Sequence, residues 1–224
     1  MTRVKICGIM NERDIGICTE AGVSVLGFVV DYPVPVPWNL TPERARELIA
    51  CVPPFIQTCV VTGGSVKKIL EIADFTRPNL VQLHYRESLG EIAETVRCLK
   101  PNGIKTIKAL RINRDGRCDF EISDPAIAAR TLSDSGISAI LADSYTEAMP
   151  GGTGVTLDLS TFLSIKKESS LPVILAGGLN PSNIESIIHE TQPYAVDLLT
   201  GTEERPGFKD PDKVNRIMAA IAKR

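Results

Sequence analysis

The chain has 224 residues, 43% hydrophobic and 23% charged, with a formal net charge of −2. That length is enough to bury a large core as one domain, 1–224. A near-neutral chain with no basic block argues against nucleic acid as a partner. No stretch approaches the roughly 20 apolar residues of a membrane span, and no charged leader precedes the apolar run at residues 4–9, so a cytoplasmic protein without a membrane partner is expected.

Taken in chain order, short β-branched runs alternate with longer segments of helical period, separated by Gly, Asn, Ser or Pro. That alternation predicts repeated βα units around a parallel sheet. Strands are expected over 4–7, 25–30, 56–61, 80–83, 105–110, 139–143, 173–176 and 195–197. Helices are expected after Asn11, Thr41, Ser65, Ser88, Asp124, Ser160, Pro181 and Asp210. Thr41 before Pro42, and Asn180 before Pro181, each place a capping side chain ahead of a proline suited to the first helical position. Several of the strands are continuous apolar runs, as strands buried on both faces should be. Eight βα units in this length favour an α/β fold closed into a single (β/α)₈ TIM barrel, with an open doubly wound sheet as the alternative.

A barrel carries its chemistry at the C-terminal ends of the strands. That rule selects Cys7, the 32–40 loop, His84, Arg111, Asp143, Gly177 with Gly178, and Thr200 with Gly201. Gly177 and Gly178 leave backbone N–H groups free to face an anion, and Thr200 and Gly201 make a second donor-rich turn on the next strand, where barrels often hold phosphate. Gly151, Gly152, Thr153 and Gly154 form a third glycine-rich loop. A thiol at Cys7 suits a general base or nucleophile, and a carboxyl at Asp143 suits a general acid if burial raises its pKa. Six cysteines without CxxC pairs or close histidine spacing predict no metal site and no disulfide framework. Cys18, Cys51, Cys59 and Cys98 read as small packing residues.

These residues fall in motifs that resemble the phosphoribosylanthranilate isomerases of tryptophan biosynthesis. The motifs are Lys5-Ile6-Cys7-Gly8-Ile9, Leu26-Gly27-Phe28-Val29, Val81-Gln82-Leu83-His84, Gly151-Gly152-Thr153-Gly154, Leu175-Ala176-Gly177-Gly178-Leu179-Asn180-Pro181, Ala195-Val196-Asp197 and Pro206-Gly207-Phe208-Lys209-Asp210. They occur in order from end to end. The resemblance implies a cofactor-free Amadori rearrangement of N-(5-phosphoribosyl)anthranilate, with Cys7 as general base and Asp143 as general acid. It implies phosphate at Gly177, Gly178, Thr200 and Gly201, and substrate contacts from Gly152, His84 and Asp197. The partner it implies is a small phosphorylated sugar-amine. Oligomeric state stays open, a homodimer included.

The sequence departs from that family in one loop. The family carries an arginine after the second strand, associated with the anthranilate carboxylate, whereas residues 32–40 here read YPVPVPWNL, with no basic residue before Arg44 and with Trp38 or Asn39 in the arginine's place. The family's lysine after the glycine-rich loop is Val155, and its paired serines after strand eight are Leu199 and Thr200. The first expectation is that anthranilate remains the aglycone, with Arg111 (or Lys108, or loop N–H groups) meeting the carboxylate and Trp38 stacking on the ring. The alternatives are a paralogue rearranging a different phosphoribosylamine, and a non-catalytic phospho-sugar-binding barrel.

Overall fold

The computed structural model describes residues 2–145 and 157–222. Strands β1 (Arg3–Ile6), β2 (Val25–Val29), β3 (Gln57–Thr62), β4 (Leu80–Leu83), β5 (Lys105–Ile112), β6 (Ala139–Ser144), β7 (Val173–Leu175) and β8 (Ala195–Leu198) alternate with helices. These are α1 (Glu12–Glu20), α2 (Pro42–Ala50), α3 (Val66–Thr76), α4 (Leu89–Leu99), α5 (Pro125–Ser133), α6 (Leu159–Glu168), α7 (Ile184–Thr191) and α8 (Pro211–Ala222). The strands run in sequence order round a closed barrel. Closure comes from β1, which pairs in parallel with β2 on one side (Lys5 opposite Val25) and with β8 on the other (Lys5 opposite Asp197). The fold expected from the βα alternation is the fold observed.

The period-two geometry of a strand sorts the apolar residues into two layers. Val29, Cys59, Val61, Ile107, Ala109, Leu141, Ile174 and Ala176 fill the barrel interior. The residues between them, among them Phe28, Val60, Leu110, Ile140 and Leu175, pack outward against the helices. Both faces are buried, which is why the strands read as unbroken apolar runs. A two-stranded antiparallel hairpin, β9 (Glu203–Arg205) and β10 (Phe208–Lys209), lies between β8 and α8. None of the described helices is long and apolar enough to cross a membrane.

The helix starts follow from local hydrogen bonding. Asn11, Thr41, Ser65 and Ser88 each accept a bond from the backbone N–H three residues on, and Asp124 accepts from Ala126 and Ile127. Most other strand ends differ from expectation by a single residue, and three boundaries move by two. α6 starts after Asp158, because its carboxylate takes the Thr161 amide at 2.8 Å and the hydroxyls of Ser160 and Thr161. Asn180 caps a turn through Ser182 N–H at 2.9 Å, and regular helix begins only at Ile184. β5 continues past 110 to Ile112, which forms an isolated bridge with Cys118.

Candidate active site

The C-terminal ends of the strands enclose a pocket. Strand alternation puts Lys5 and Cys7 on the inner face of β1 and its extension, with Val4 and Ile6 outward. Gly27 on the neighbouring strand makes this pair fit. A Cβ there would stand 2.9 Å from Cys7 Sγ and 3.1 Å from Lys5 Cε, so the glycine reserves the space. Burial pushes the Cys7 thiol up, and the nearby Lys5 ammonium opposes that without overcoming it. Lys5 Nζ is 2.7 Å from Asp197 Oδ2. Burial alone would lower the Lys5 ammonium, but Asp197 and the adjacent thiols hold it above its ordinary value. Asp197 Oδ1 has no hydrogen-bond partner among the described residues, and Asp197 lines the pocket.

Asp143 enters from β6, with β7 and β8 between it and Cys7 round the ring. Burial first, and the Asp197 carboxylate second, push its pKa up to about 7. His84 Nε2 lies 3.6 Å from Asp143 Oδ2. Gln82 Nε2 stands 3.0 Å from His84 Nδ1, and an amide donating there assigns the imidazole proton to Nε2, on the side of Asp143. Among the described residues, no cluster of three His, Cys, Asp or Glu is placed to hold a metal ion.

The anion end is built by close backbone packing. Gly177 and Gly178 have φ of 90° and 61°. A Cβ on Gly177 would fall 2.4 Å from Ser144 Oγ, and one on Gly201 would fall 1.9 Å from Leu179 O. The turns after β7 and β8 therefore meet at a distance only glycine allows. Asn180 and Asn183 donate to Gly178 O at 3.1 and 3.0 Å, which fixes that peptide. Among the described residues, the amides of Gly177, Gly178, Thr200 and Gly201 donate to no protein acceptor. Gly177, Gly178 and Thr200 line the pocket, and Gly201 sits in the turn beside Thr200.

Trp38 also lines the pocket. Its indole lies against Gly8, where a Cβ would be 2.9 Å from Trp38 Cδ1, and its Nε1–H donates to Glu203 Oε1 at 2.8 Å. Glu203 Oε1 also accepts from Gly207 N at 3.0 Å and Lys209 Nζ at 3.1 Å, and Lys209 Nζ donates to Cys7 O at 2.6 Å. The hairpin of β9 and β10 thus locks the loop bearing Trp38 to the end of β1. Asn39 points elsewhere and clamps the loop base, accepting from Tyr32 N at 2.8 Å and donating to Tyr32 O at 3.2 Å.

One residue expected to meet substrate is not among the residues that line the pocket. Arg111 is paired with Asp143 in the sheet register, yet it does not line the pocket. Its guanidinium is ion-paired with Asp119 and donates to the Tyr32 hydroxyl at 3.4 Å, behind the wall that Tyr32 makes. Lys108, the other cation considered, faces outward and is held by Glu87 at 2.6 Å. Gly152 and its glycine-rich loop lie outside the described residues. Sequence reasoning missed Lys5, Gln82, Glu203 and Lys209. Lys5 was recoverable, since residues two apart on a strand share a face; the Glu203 and Lys209 contacts span the chain and leave no local signal.

A closed eight-stranded barrel that gathers a buried thiol, a carboxyl of raised pKa and glycine turns around one pocket defines a (β/α)₈-barrel acid–base enzyme. The family model described as PRAI, N-(5'-phosphoribosyl)anthranilate (PRA) isomerase, matches residues 4–220, and the chain belongs to that family. An N-(5'-phosphoribosyl)anthranilate isomerase of Geotalea uraniireducens is 37% identical over 222 residues, 97% of each chain. The crystal structure of phosphoribosyl anthranilate isomerase from Thermotoga maritima superposes with a TM-score of 0.82 at 31% identity over 100% of both chains, and that enzyme is dimeric. Another solved phosphoribosyl anthranilate isomerase, holding reduced 1-(o-carboxyphenylamino)-1-deoxyribulose 5-phosphate, has a TM-score of 0.79 at 30% identity over 100% of both chains.

Proposed function

We infer that the chain converts N-(5'-phosphoribosyl)anthranilate into 1-(o-carboxyphenylamino)-1-deoxyribulose 5-phosphate, with Asp143 as general acid and Cys7 as general base. The carrying observation is that these two groups line one pocket with the glycine turns at its end. Asp143, protonated at neutral pH in part because it is buried, gives its proton to the furanose ring oxygen. The ring C–O bond breaks and the anilino nitrogen's lone pair forms the iminium. That cation acidifies the C2 proton and lowers the adjacent thiol's pKa as it forms, so the Cys7 thiol releases its proton to solvent and the thiolate then takes the proton from C2. The resulting enolamine tautomerises to the ketone, and solvent restores the two side chains. Free amides at Gly177, Gly178, Thr200 and Gly201 hold the phosphate, and Asp197 Oδ1 accepts from a sugar hydroxyl.

Purified protein should consume phosphoribosylanthranilate, followed by the loss of its fluorescence, with inorganic phosphate acting as a competitive inhibitor. Folded protein without turnover would reject this reading.

The functional unit is proposed to be a homodimer, as in the Thermotoga relative. Phe55, at the turn between α2 and β3, is fully exposed and holds φ of 71° after Pro53 and Pro54. Burying such a ring is worth about 1.5–3 kcal/mol, and a second copy of the chain is the partner that would cover it. Phe55→Ser should shift the protein from dimer to monomer in sedimentation. A wild-type monomer at micromolar concentration would refute the assignment.

A further inference from the structure

We propose that Trp38 makes the aglycone end of this pocket a neutral aromatic subsite, so that phosphoribosyl adducts of uncharged arylamines are substrates on a par with phosphoribosylanthranilate. The proposal rests on the reading of the reaction above and names the substrate class of the same site. Beside the glycine turns, the apolar and aromatic lining of the pocket includes Val29, Tyr32, Val36, Trp38 and Val61. Among the described residues that line the pocket there is no lysine or arginine, and the segment 146–156, TEAMPGGTGVT, contains no basic residue.

The basic groups packed behind the wall are ion-paired, Lys5 with Asp197, Arg111 with Asp119 and Lys209 with Glu203, and of these only the Arg111 Nε–H has no acceptor among the described residues. The two side-chain donors on the wall itself are engaged as well. Trp38 Nε1–H is given to Glu203, and the Tyr32 hydroxyl donates to His84 O at 2.7 Å. The charges directly behind the indole are therefore those of the Glu203–Lys209 pair, which are spent on each other. An ortho-carboxylate brought to this wall gains no charge-assisted partner for the water it would lose, so it is best left at the mouth in solvent. The ring, by contrast, gains apolar and aromatic contact.

The consequence for specificity follows from what an analogue leaves behind. A site with a buried cation for the carboxylate rejects the analogue that lacks it, because the cation is then stranded without a partner. Nothing is stranded here when the carboxylate is removed. With the carboxylate left in solvent and no contact of its own, discrimination between the anthranilate and aniline adducts should stay at or below about tenfold, the low end of what one apolar group is worth.

The test compares kcat/KM of the wild-type enzyme for N-(5'-phosphoribosyl)anthranilate and N-(5'-phosphoribosyl)aniline, with the ketose products separated chromatographically. The expected result is a ratio within about tenfold. A tenfold or larger preference for the anthranilate adduct overturns the proposal and leaves the isomerase reading intact. Turnover of neither adduct overturns both. Trp38→Arg, which places a cation on the wall, should then move the ratio by at least about tenfold towards anthranilate. A folded variant with an unchanged ratio would remove Trp38 as the determinant. The wild-type ratio needs no variant, so it decides the main claim even if Trp38→Arg does not fold.

Discussion

Cys7→Ser should lower kcat by about 10² to 10⁴ with little change in the inhibition constant of inorganic phosphate, the size expected if a general base is lost from an otherwise intact site. Serine keeps the shape that Gly27 accommodates at Cys7 Sγ, so the backbone of β1 has no reason to move. What it loses is acidity: a thiol can surrender its proton when the iminium forms beside it, and a serine hydroxyl cannot within the neutral range. Burial already holds the Cys7 thiol above its ordinary pKa, and the substrate cation, helped by Lys5, must supply the opposing field. Rates from single turnover keep this effect separate from product release. A variant within tenfold of wild type would remove Cys7 from the chemistry.

The second large effect concerns Asp143. With its pKa pushed up to about 7 by burial and by Asp197, the free enzyme carries the acid form below that value and loses it above, so kcat/KM should fall on the alkaline side with an apparent pKa near 7. Asp143→Asn should cost about 10² to 10⁴ in kcat and abolish that limb. The same shift has a consequence for stability. Because the folded-state value lies above the unfolded one, the folded protein holds the extra proton between roughly pH 4 and 7, and ionising the buried group costs stability as pH rises through that window. Asp143→Asn removes the penalty, on the order of a few kcal/mol at most. It should therefore melt higher than wild type at pH 8, with the difference gone below about pH 4. An Asn variant that is less stable than wild type at pH 8, or a kcat/KM that stays flat from pH 6 to 9, would show that the carboxyl is ionised in the folded state.

Residues governed by local rules were legible without coordinates. Asn11, Thr41, Ser65, Ser88 and Asp124 cap their helices as a short polar side chain ahead of an amphipathic run should. The strands were found because burial on two faces leaves them short and mostly apolar, with the few polar residues inside them, such as Lys5, Gln82 and Lys108, held by specific partners. Cys7, Asp143 and the glycine pairs could be singled out because a closed barrel gathers its strand ends at one mouth. The boundaries that moved did so where hydrogen bonds compete over two or three residues, as Asp158 does with Ser160.

Arg111 was misplaced for a different reason. Its position in the chain put it at the end of β5, and the register does set it beside Asp143. Whether its guanidinium enters the pocket, however, is decided by Asp119, eight residues on, and by Tyr32 from the far side of the barrel. Trp38 is the same kind of case: the sequence marks it as a departure in a proline-rich loop, but its burial and the commitment of its N–H depend on Glu203, 165 positions away. The sequence by itself determined the alternation of elements, pointed to a closed barrel and placed Cys7 and Asp143 at strand ends, because these follow from periodicities and boundaries that each segment carries within itself. Only the tertiary structure decided which charges are spent on one another and which face the pocket, because contacts such as Lys5 with Asp197 and Lys209 with the Cys7 carbonyl form between segments whose approach is set by closure and not by neighbouring residues.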